Sequence, residues 1–421
     1  MKTNTVKKIK TVEISPDYAI AALEYIICLS HLRWDFVYQR PQHLMSRFAR
    51  NAKVLYFEEP IFFDGETHLS VTLKDSNLSV CTPFINYKEE INAIKIQRSM
   101  INNTIRKNKI ENYLLWFYTP MAMEFASHLN PSVTVFDCMD ELTAFKFAPP
   151  KLVDMEKRLL KKADLVFTGG QSLYNAKKGH HPNVSAFPSS IDFKHFSKAR
   201  KRAQEPDDQI RIPSPKLGFL GVIDERMDTH LLAEMADLRP DWQFVMIGPV
   251  VKISPEDLPR RGNIHYLGGK DYSELPDYLS GWDIALMPFA MNESTRFISP
   301  TKTPEYLAAG KPVISTPIQD VVSPYGDQKL VCIAKTAVEF ILEAEKILEG
   351  RNRKEWLKKV DEFLALNSWD DTFAAMMDLI SETCMENNYF AAIKLDSFSI
   401  NSLVPTLSRV GSSLNQLRSI E

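Results

Sequence analysis

The feature that most constrains this chain is an alternation run through twice. In the first half, "YIICLS" (25–30), "KVLYFEE" (53–59), "NYLLWFY" (112–118), "VTVFDCMD" (133–140), "ADLVFTGG" (163–170) and "VSAFPSS" have the length and apolarity of buried strands. Helical patterns such as "QRPQHLMSRFARN", "KEEINAIKIQRSMINNTIRKNK" and "PPKLVDMEKRLLKK" lie between them. A charged, apolar-poor stretch, "SKARKRAQEPDDQIRIPSP" (197–215), interrupts the pattern. It then restarts with "KLGFLGVI", "WQFVMIGP", "NIHYLG" and "DIALMPF" as strands. Strands that alternate with helices predict a parallel sheet covered on both faces. Two such units in succession predict an α/β protein of two Rossmann-like, doubly wound domains. Their facing strand ends bound a cleft, where open α/β sheets take ligands. The expected divisions are a polar arm over 1–20, a first domain over 21–200, a linker over 201–215, a second domain over 216–372, and a C-terminal helix and tail over 373–421. The last helices are expected to cross back onto the first domain.

Composition narrows the partners. The chain has 421 residues, 44% hydrophobic and 25% charged, enough for two sizeable cores. A net charge of -2 argues against nucleic acid as a partner. Residues 1–200 carry 27 Lys and Arg against 20 Asp and Glu, and the remainder carries 24 against 33. This asymmetry fits different partners for the two halves, or plain scatter over two solvated surfaces. Cys28, Cys81, Cys138, Cys332 and Cys384 are far apart, with no CxxC pair and no histidine cluster, so no structural metal is expected. Such a set fits the reducing cytoplasm. The run "YAIAALEYIICLS" is short and contains Glu24, and is expected to be neither a signal peptide nor a membrane span.

The stretch "STRFISPTKTPEYLAAGKPVIST" (294–316) carries the chemistry. Ser299 is expected as the N-cap of a helix with Pro300 at its first position; Gly310 and Pro312 end it, and "PVIST" follows as a strand. Ser299, Thr301 and Lys302 crowd the helix start with hydroxyls and an ammonium, beside the backbone amides at 300–302. That combination suits a diphosphate without a glycine-rich loop. Neither GxxxxGK[ST] nor GxGxxG occurs. Glu305 shares a helix face with Lys302 and lies one turn deeper, placed to accept hydrogen bonds from both hydroxyls of a ribose. The plain alternative is a capped helix with an i,i+3 Lys–Glu pair.

This stretch resembles the nucleotide-sugar signature of GT-B glycosyltransferases, in particular the GT4-like bacterial enzymes of surface polysaccharide synthesis. "HLRWDFVYQRPQHLMSRFA", "FDCMDELTAF", "ADLVFTGGQSLY", "FPSSIDFKHF", "GFLGVIDERMD" and "IHYLG" resemble the same enzymes, from about residue 25 to about 335. The resemblance implies a glycosyltransferase that moves a sugar from a nucleoside-diphosphate sugar, UDP-linked, to a glycan or lipid-linked acceptor. It implies retention at the anomeric carbon, no cofactor and no metal for chemistry. A nucleotide-sugar isomerase of the 2-epimerase kind and a non-catalytic nucleotide-sugar-binding subunit are the alternatives on the same fold. One departure matters: the commoner pattern has a second glutamate eight residues before the first, and here that position is Phe297. Its role in holding the donor sugar is expected to pass to Asn292, Glu293 or backbone groups.

The resemblance also implies site residues. Glu305 maps onto the glutamate that holds the donor ribose. Gly221 is expected to let the backbone approach the ligand, and Arg226 to meet the diphosphate opposite Lys302; the alternative for Arg226 is a surface pair with Asp224 or Asp228. Asp137, Asp140 and Glu141 end a strand and are expected to point into the cleft. Asp140 is the candidate to orient the acceptor hydroxyl or take its proton, and helix capping is its alternative. His31, Arg33 and Trp34 match the acceptor-side loop, with Trp34 for a sugar face and Arg33 for a lipid-linked phosphate; core packing and surface charge are their alternatives. His43 is expected to be structural. The basic helix around Lys95, Arg98, Arg106, Lys107 and Lys109 predicts peripheral association with anionic membrane at the inner face of the plasma membrane.

Overall fold

Apolar runs without polar alternation become strands buried on both faces, and β1 (Tyr25–Leu29) is the example, closed to solvent at every position. It is the centre of a sheet formed with β2 (Lys53–Phe57), β3 (Ile61–Phe63), β4 (His68–Asp75), β5 (Leu78–Asn86), β6 (Tyr113–Phe117), β7 (Val133–Cys138), β8 (Leu165–Thr168) and β9 (Val184–Ala186). The order is β3-β5-β2-β1-β6-β7-β8-β9. Neighbours run parallel, except that β4 pairs antiparallel with β5. Helices α1 (Arg40–Phe48), α2 (Ala93–Lys107) and α3 (Leu152–Lys162) cover it. The structure is a computed structural model, and it describes residues 23–201, 205–350 and 353–387. The expected N-terminal arm, part of the linker and the tail beyond 387 lie outside the described residues.

The second sheet has the order β12-β11-β10-β13-β14-β15. Its strands are β10 (Lys216–Leu220), β11 (Gln243–Ile247), β12 (Ile264–Gly268), β13 (Ile284–Met287), β14 (Val313–Ser315) and β15 (Cys332–Ile333), all parallel. Its helices include α4 (Thr229–Leu238), α5 (Lys302–Ala308), α6 (Ala337–Leu348) and α7 (Arg353–Leu364). A last helix, α8, runs from 369 to 387. Trp369, Met376, Ile380 and Cys384 of α8 join the core of the first domain, so the chain returns to where it began. The two crossings lie side by side: Ile191 donates its N–H to the Asn367 carbonyl at 3.0 Å.

The strands β3, β4, β5 and β15 escaped the sequence reading. The β4–β5 hairpin sets Leu69, Val71 and Leu73 opposite Pro83, Cys81 and Ser79, and Thr72 opposite Val80, around a turn at Ser76-Asn77. Alternation about a polar turn was the available signal.

In each sheet the strand order reverses once, between β1 and β6 and between β10 and β13. These switch points are where a doubly wound sheet leaves a crevice. The loops after them meet across one cleft, walled by Tyr38 and Asp140 on one side and by Gly221, Arg226 and Lys302 on the other. The domains touch beside it. Ser172 donates its backbone N–H to Asp320 at 3.0 Å, Ser189 donates to the Ser299 carbonyl at 3.2 Å, and the rings of Tyr38 and Tyr272 lie 4.5 Å apart.

Candidate active site

Two glycines shape the second domain's wall. Gly221 follows β10 with φ +142°, and Gly248 follows β11 with φ +145°, a region that residues with a Cβ avoid. A Cβ on Gly221 would lie 1.9 Å from Cε of Lys302, and one on Gly248 would lie 1.8 Å from the Gly221 carbonyl oxygen. Gly221 was expected to admit a ligand. In the structure it admits the Lys302 side chain, which then presents the cation. Tyr306, fully buried on α5, fixes the same contact: its hydroxyl accepts from the Leu220 N–H at 2.7 Å and donates to the Leu220 carbonyl at 3.2 Å.

The helix starts later than Ser299. α5 begins at Lys302, preceded by Thr301, and Ser299 is no cap. The reason is Pro304. A helix starting at Pro300 would put the Pro304 ring against the carbonyl four residues back, whereas a start at Lys302 puts Pro304 in the first turn, where no N–H is needed. Pro300 has no N–H either, so it serves as wall. The open amides are those of Thr301 and Lys302, which have no acceptor among the described residues. With only seven residues, α5 contributes a weak dipole, and the ammonium matters more.

The Lys302 ammonium makes no ion pair or hydrogen bond among the described residues and lies 5.9 Å from the centre of the Phe219 ring. Burial lowers its pKa, Glu305 opposes that, and Arg226 adds to it. The Glu305 carboxyl also has no hydrogen bond among the described residues. Burial raises its pKa to about 7 against the pull of Lys302. Arg226 is held by Asp224 through two contacts of 2.9 and 2.7 Å and still faces the cleft, so both of its expected roles coexist. Its loop is clamped by Ala290 N–H to the Arg226 carbonyl at 2.8 Å. Asp140 lies across the cleft and caps no helix. Burial raises its pKa, while Arg226 and Lys252 oppose the rise.

Several charged residues expected in the cleft are committed elsewhere. Asp137 is buried and takes a bidentate grip from Arg40, at 2.8 and 2.9 Å. Glu141 pairs with Lys177 at 2.7 Å. Arg33 lines the acceptor side, but its guanidinium is spent on Glu58 at 3.0 Å and on the carbonyls of Glu59 and Pro60. Trp34 sits edge-on to Tyr56 at 5.1 Å and faces a neighbouring recess with Gly248 and Tyr272, apart from His31. Only His31 of the three shares the space with Asp140 and Arg226 with an unspent group: its Nδ1 is buried without a hydrogen-bond partner among the described residues, and burial, then Lys252, lowers its pKa to about 4. Asn292 bonds Ser294 and Thr295, and Glu293 is exposed and pairs with Arg296, so neither reaches the cleft. Phe297 packs against the first domain's core. His43 stacks on Trp369 at 4.6 Å, a structural role.

Three residues here carried no sequence signal. Lys252, at φ +62°, reaches over the Phe145 ring at 4.5 Å, and Arg226 lies 5.4 Å from the same ring. The Tyr272 hydroxyl is buried near Glu305 without a hydrogen-bond partner among the described residues, and burial, then Glu305, raises its pKa. Among the described residues no group of three His, Cys, Asp or Glu side chains could hold a metal ion.

Two Rossmann-like domains facing across this cleft define the GT-B fold. Sucrose-phosphate synthase from Thermosynechococcus elongatus has the same fold, with a TM-score of 0.63 at 14% identity over 88% of this chain and 100% of that one. The trehalose-6-phosphate structure from E. coli bound with UDP-2-fluoro glucose gives 0.59 at 11% identity, over 84% and 99%. Residues 214–350 match the family described as Glycosyl transferases group 1. TuaH of Bacillus subtilis (strain 168), which bears the name of a teichuronic acid biosynthesis glycosyltransferase, is 26% identical over 287 residues, 63% of this chain and 71% of TuaH. Residues 214–350 thus resemble the group 1 glycosyl transferases, and the chain has the GT-B fold.

Proposed function

We propose that the protein transfers a glycosyl group from a UDP-sugar to a glycan or lipid-linked acceptor in the assembly of a surface polysaccharide. The observation that carries this is the half-buried Lys302–Glu305 pair, whose polar ends have no hydrogen-bond partner among the described residues and share a cleft with Arg226. Buried charges without partners are costly unless a ligand completes them. Lys302 and Arg226, with the amides of Thr301 and Lys302, hold the diphosphate; Glu305 accepts from the ribose hydroxyls. The base extends past Tyr272 toward the recess beside Gly248. The name of TuaH supports a polysaccharide product, and the E. coli structure with UDP-2-fluoro glucose supports a UDP-sugar donor.

In the reaction the bond from the anomeric carbon to the diphosphate oxygen breaks and the acceptor oxygen bonds to that carbon. Charge develops on the departing diphosphate, where two fixed cations stabilise it without metal. Asp140 orients the acceptor hydroxyl and, when ionised, takes its proton. Neutral His31 faces the same space. Retention of configuration follows the family resemblance. The enzyme works at the cytoplasmic membrane face: Lys95, Arg98, Lys107 and Lys109 are exposed, with no ion pair among the described residues. No helix among the described residues is long and apolar enough to cross a membrane.

Thermal stabilisation by UDP, GDP and dTDP tests the donor, followed by UDP release from the best UDP-sugar with lipid-linked acceptors. Stabilisation by UDP and acceptor-dependent release are expected. Sugar interconversion without acceptor would replace the proposal with the isomerase reading.

A further inference from the structure

The cleft has an apolar continuation that no step of the transfer uses. Between the β2–β3 connection, the start of α2 and the segment after β6 runs a groove walled by Phe57, Phe62, Ile94, Met121 and Phe125. It shares Glu59, Thr119 and Met121 with the space beside His31, which in turn shares Asp140 and Arg226 with the donor cleft. A ligand whose hydroxyl sits at Asp140 therefore has a continuous path into the groove.

The polar side chains of the groove are already engaged. Glu58 is held by Arg33, the Trp34 N–H and Thr82; Glu124 by Lys151. Ser30 accepts from Tyr56 and from the Leu32 N–H, Thr119 accepts from the Met121 N–H, and Gln97 donates to the Ala93 carbonyl. Glu59 alone keeps an uncommitted side chain; burial raises its pKa, against Arg33. A peptide would need partners for its backbone here and would find almost none. A hydrocarbon chain needs none.

The outer mouth of the groove is a membrane-like edge. Ile91 is 94% exposed, and Ile94 and Tyr87 are exposed beside it. Lys95 and Arg98 follow each isoleucine at four residues, on the same side of the helix start. Apolar side chains ringed by cations complement an anionic bilayer surface.

We infer that this groove receives the hydrocarbon chain of an amphiphilic, membrane-borne acceptor while its sugar head enters the space between His31 and Asp140. The inference rests on the glycosyltransfer reading and names the acceptor class for it. The test uses the full chain and a dodecyl β-glucoside carrying a diazirine at the alkyl end, kept below its micelle-forming concentration, with cross-links mapped by mass spectrometry. Labelling is expected on residues 57–62, 94–97 or 119–125, competed by unlabelled dodecyl glucoside and not by methyl glucoside. Ile94→Asp, at a half-open position, is expected to cut labelling about tenfold and to leave the UDP-induced thermal shift unchanged. Gln97→Trp, which fills the groove instead of charging it, should do the same. Labelling spread over exposed apolar residues such as Phe147 or Leu366, or unchanged in both folded variants, overturns the groove. Absence of a UDP shift in the unaltered protein overturns the glycosyltransfer reading itself, whatever the label reports.

Discussion

The two halves of the cleft use the same architecture in opposite ways. Both put charged residues at the ends of central parallel strands. In the first domain those charges are consumed inside the protein: Asp137 by Arg40, Arg33 by Glu58, Glu141 by Lys177. In the second domain Lys302 and Glu305 are half-buried in the wall and have no hydrogen bond among the described residues, and Arg226 keeps a face toward the cleft after pairing with Asp224. Strand-end charge therefore marks a site only where the fold leaves it unspent. A spent charge holds a domain together; an unspent one waits for a ligand.

The largest effect should come from breaking a spent pair. Asp137→Asn leaves Arg40 buried without its counter-charge and should destabilise the protein by about 3–5 kcal/mol. Chemical denaturation measures it, and the folded fraction should bind UDP as before. A loss of UDP affinity with normal stability would reverse the assignment of Asp137.

Glu305→Gln is the counterpart in the other wall. It should weaken UDP binding by about 1–3 kcal/mol in titration calorimetry, the worth of charged hydrogen bonds, while leaving the unfolding midpoint of the ligand-free protein unchanged or higher. Unchanged UDP affinity would remove Glu305 from the donor site.

The pH dependence sharpens the same contrast. Burial raises the Glu305 pKa to about 7, above its ordinary value of 4.5. The native state thus holds a proton that the unfolded chain has lost, so this group's contribution to stability falls as pH rises from 4.5 toward about 7. Ribose binding needs the carboxylate, so UDP affinity should move the other way and strengthen from about pH 6 to 8. In Glu305→Gln that slope should flatten. A slope that persists in the variant assigns the titration to another group.

Smaller effects are expected at the surface. Changing Arg106, Lys107 and Lys109 to Glu should reduce co-sedimentation with anionic vesicles by about 1 kcal/mol per residue, and added salt should do the same. Equal recovery with anionic and neutral vesicles would end the membrane reading. The smallest effect is expected from excess EDTA: initial rates should hold, because Lys302 and Arg226 supply the positive charge. A loss restored by Mg²⁺ or Mn²⁺ would count against two cations being sufficient.

By itself the sequence determined what depends on neighbours along the chain. Alternating apolar runs specified two parallel sheets, because a strand covered on both faces has no polar positions to spare. The three-residue spacing of Lys302 and Glu305 put both on one helix face, because helix pitch is set by covalent geometry and hydrogen bonding. Even the misplaced helix start was legible, in the fifth-position clash that Pro304 would have made. Tertiary structure alone decided which charges are spent. Arg40 and Asp137 are 97 residues apart, and only the order of strands brings the helix after β1 against the end of β7. Lys252 over Phe145, the Tyr272 hydroxyl near Glu305, and Lys302 in the space a side chain on Gly221 would fill are contacts of the same kind. No local spacing encodes them, because they join residues far apart in the chain, within one domain or, for Lys252 and Phe145, across the cleft between the two.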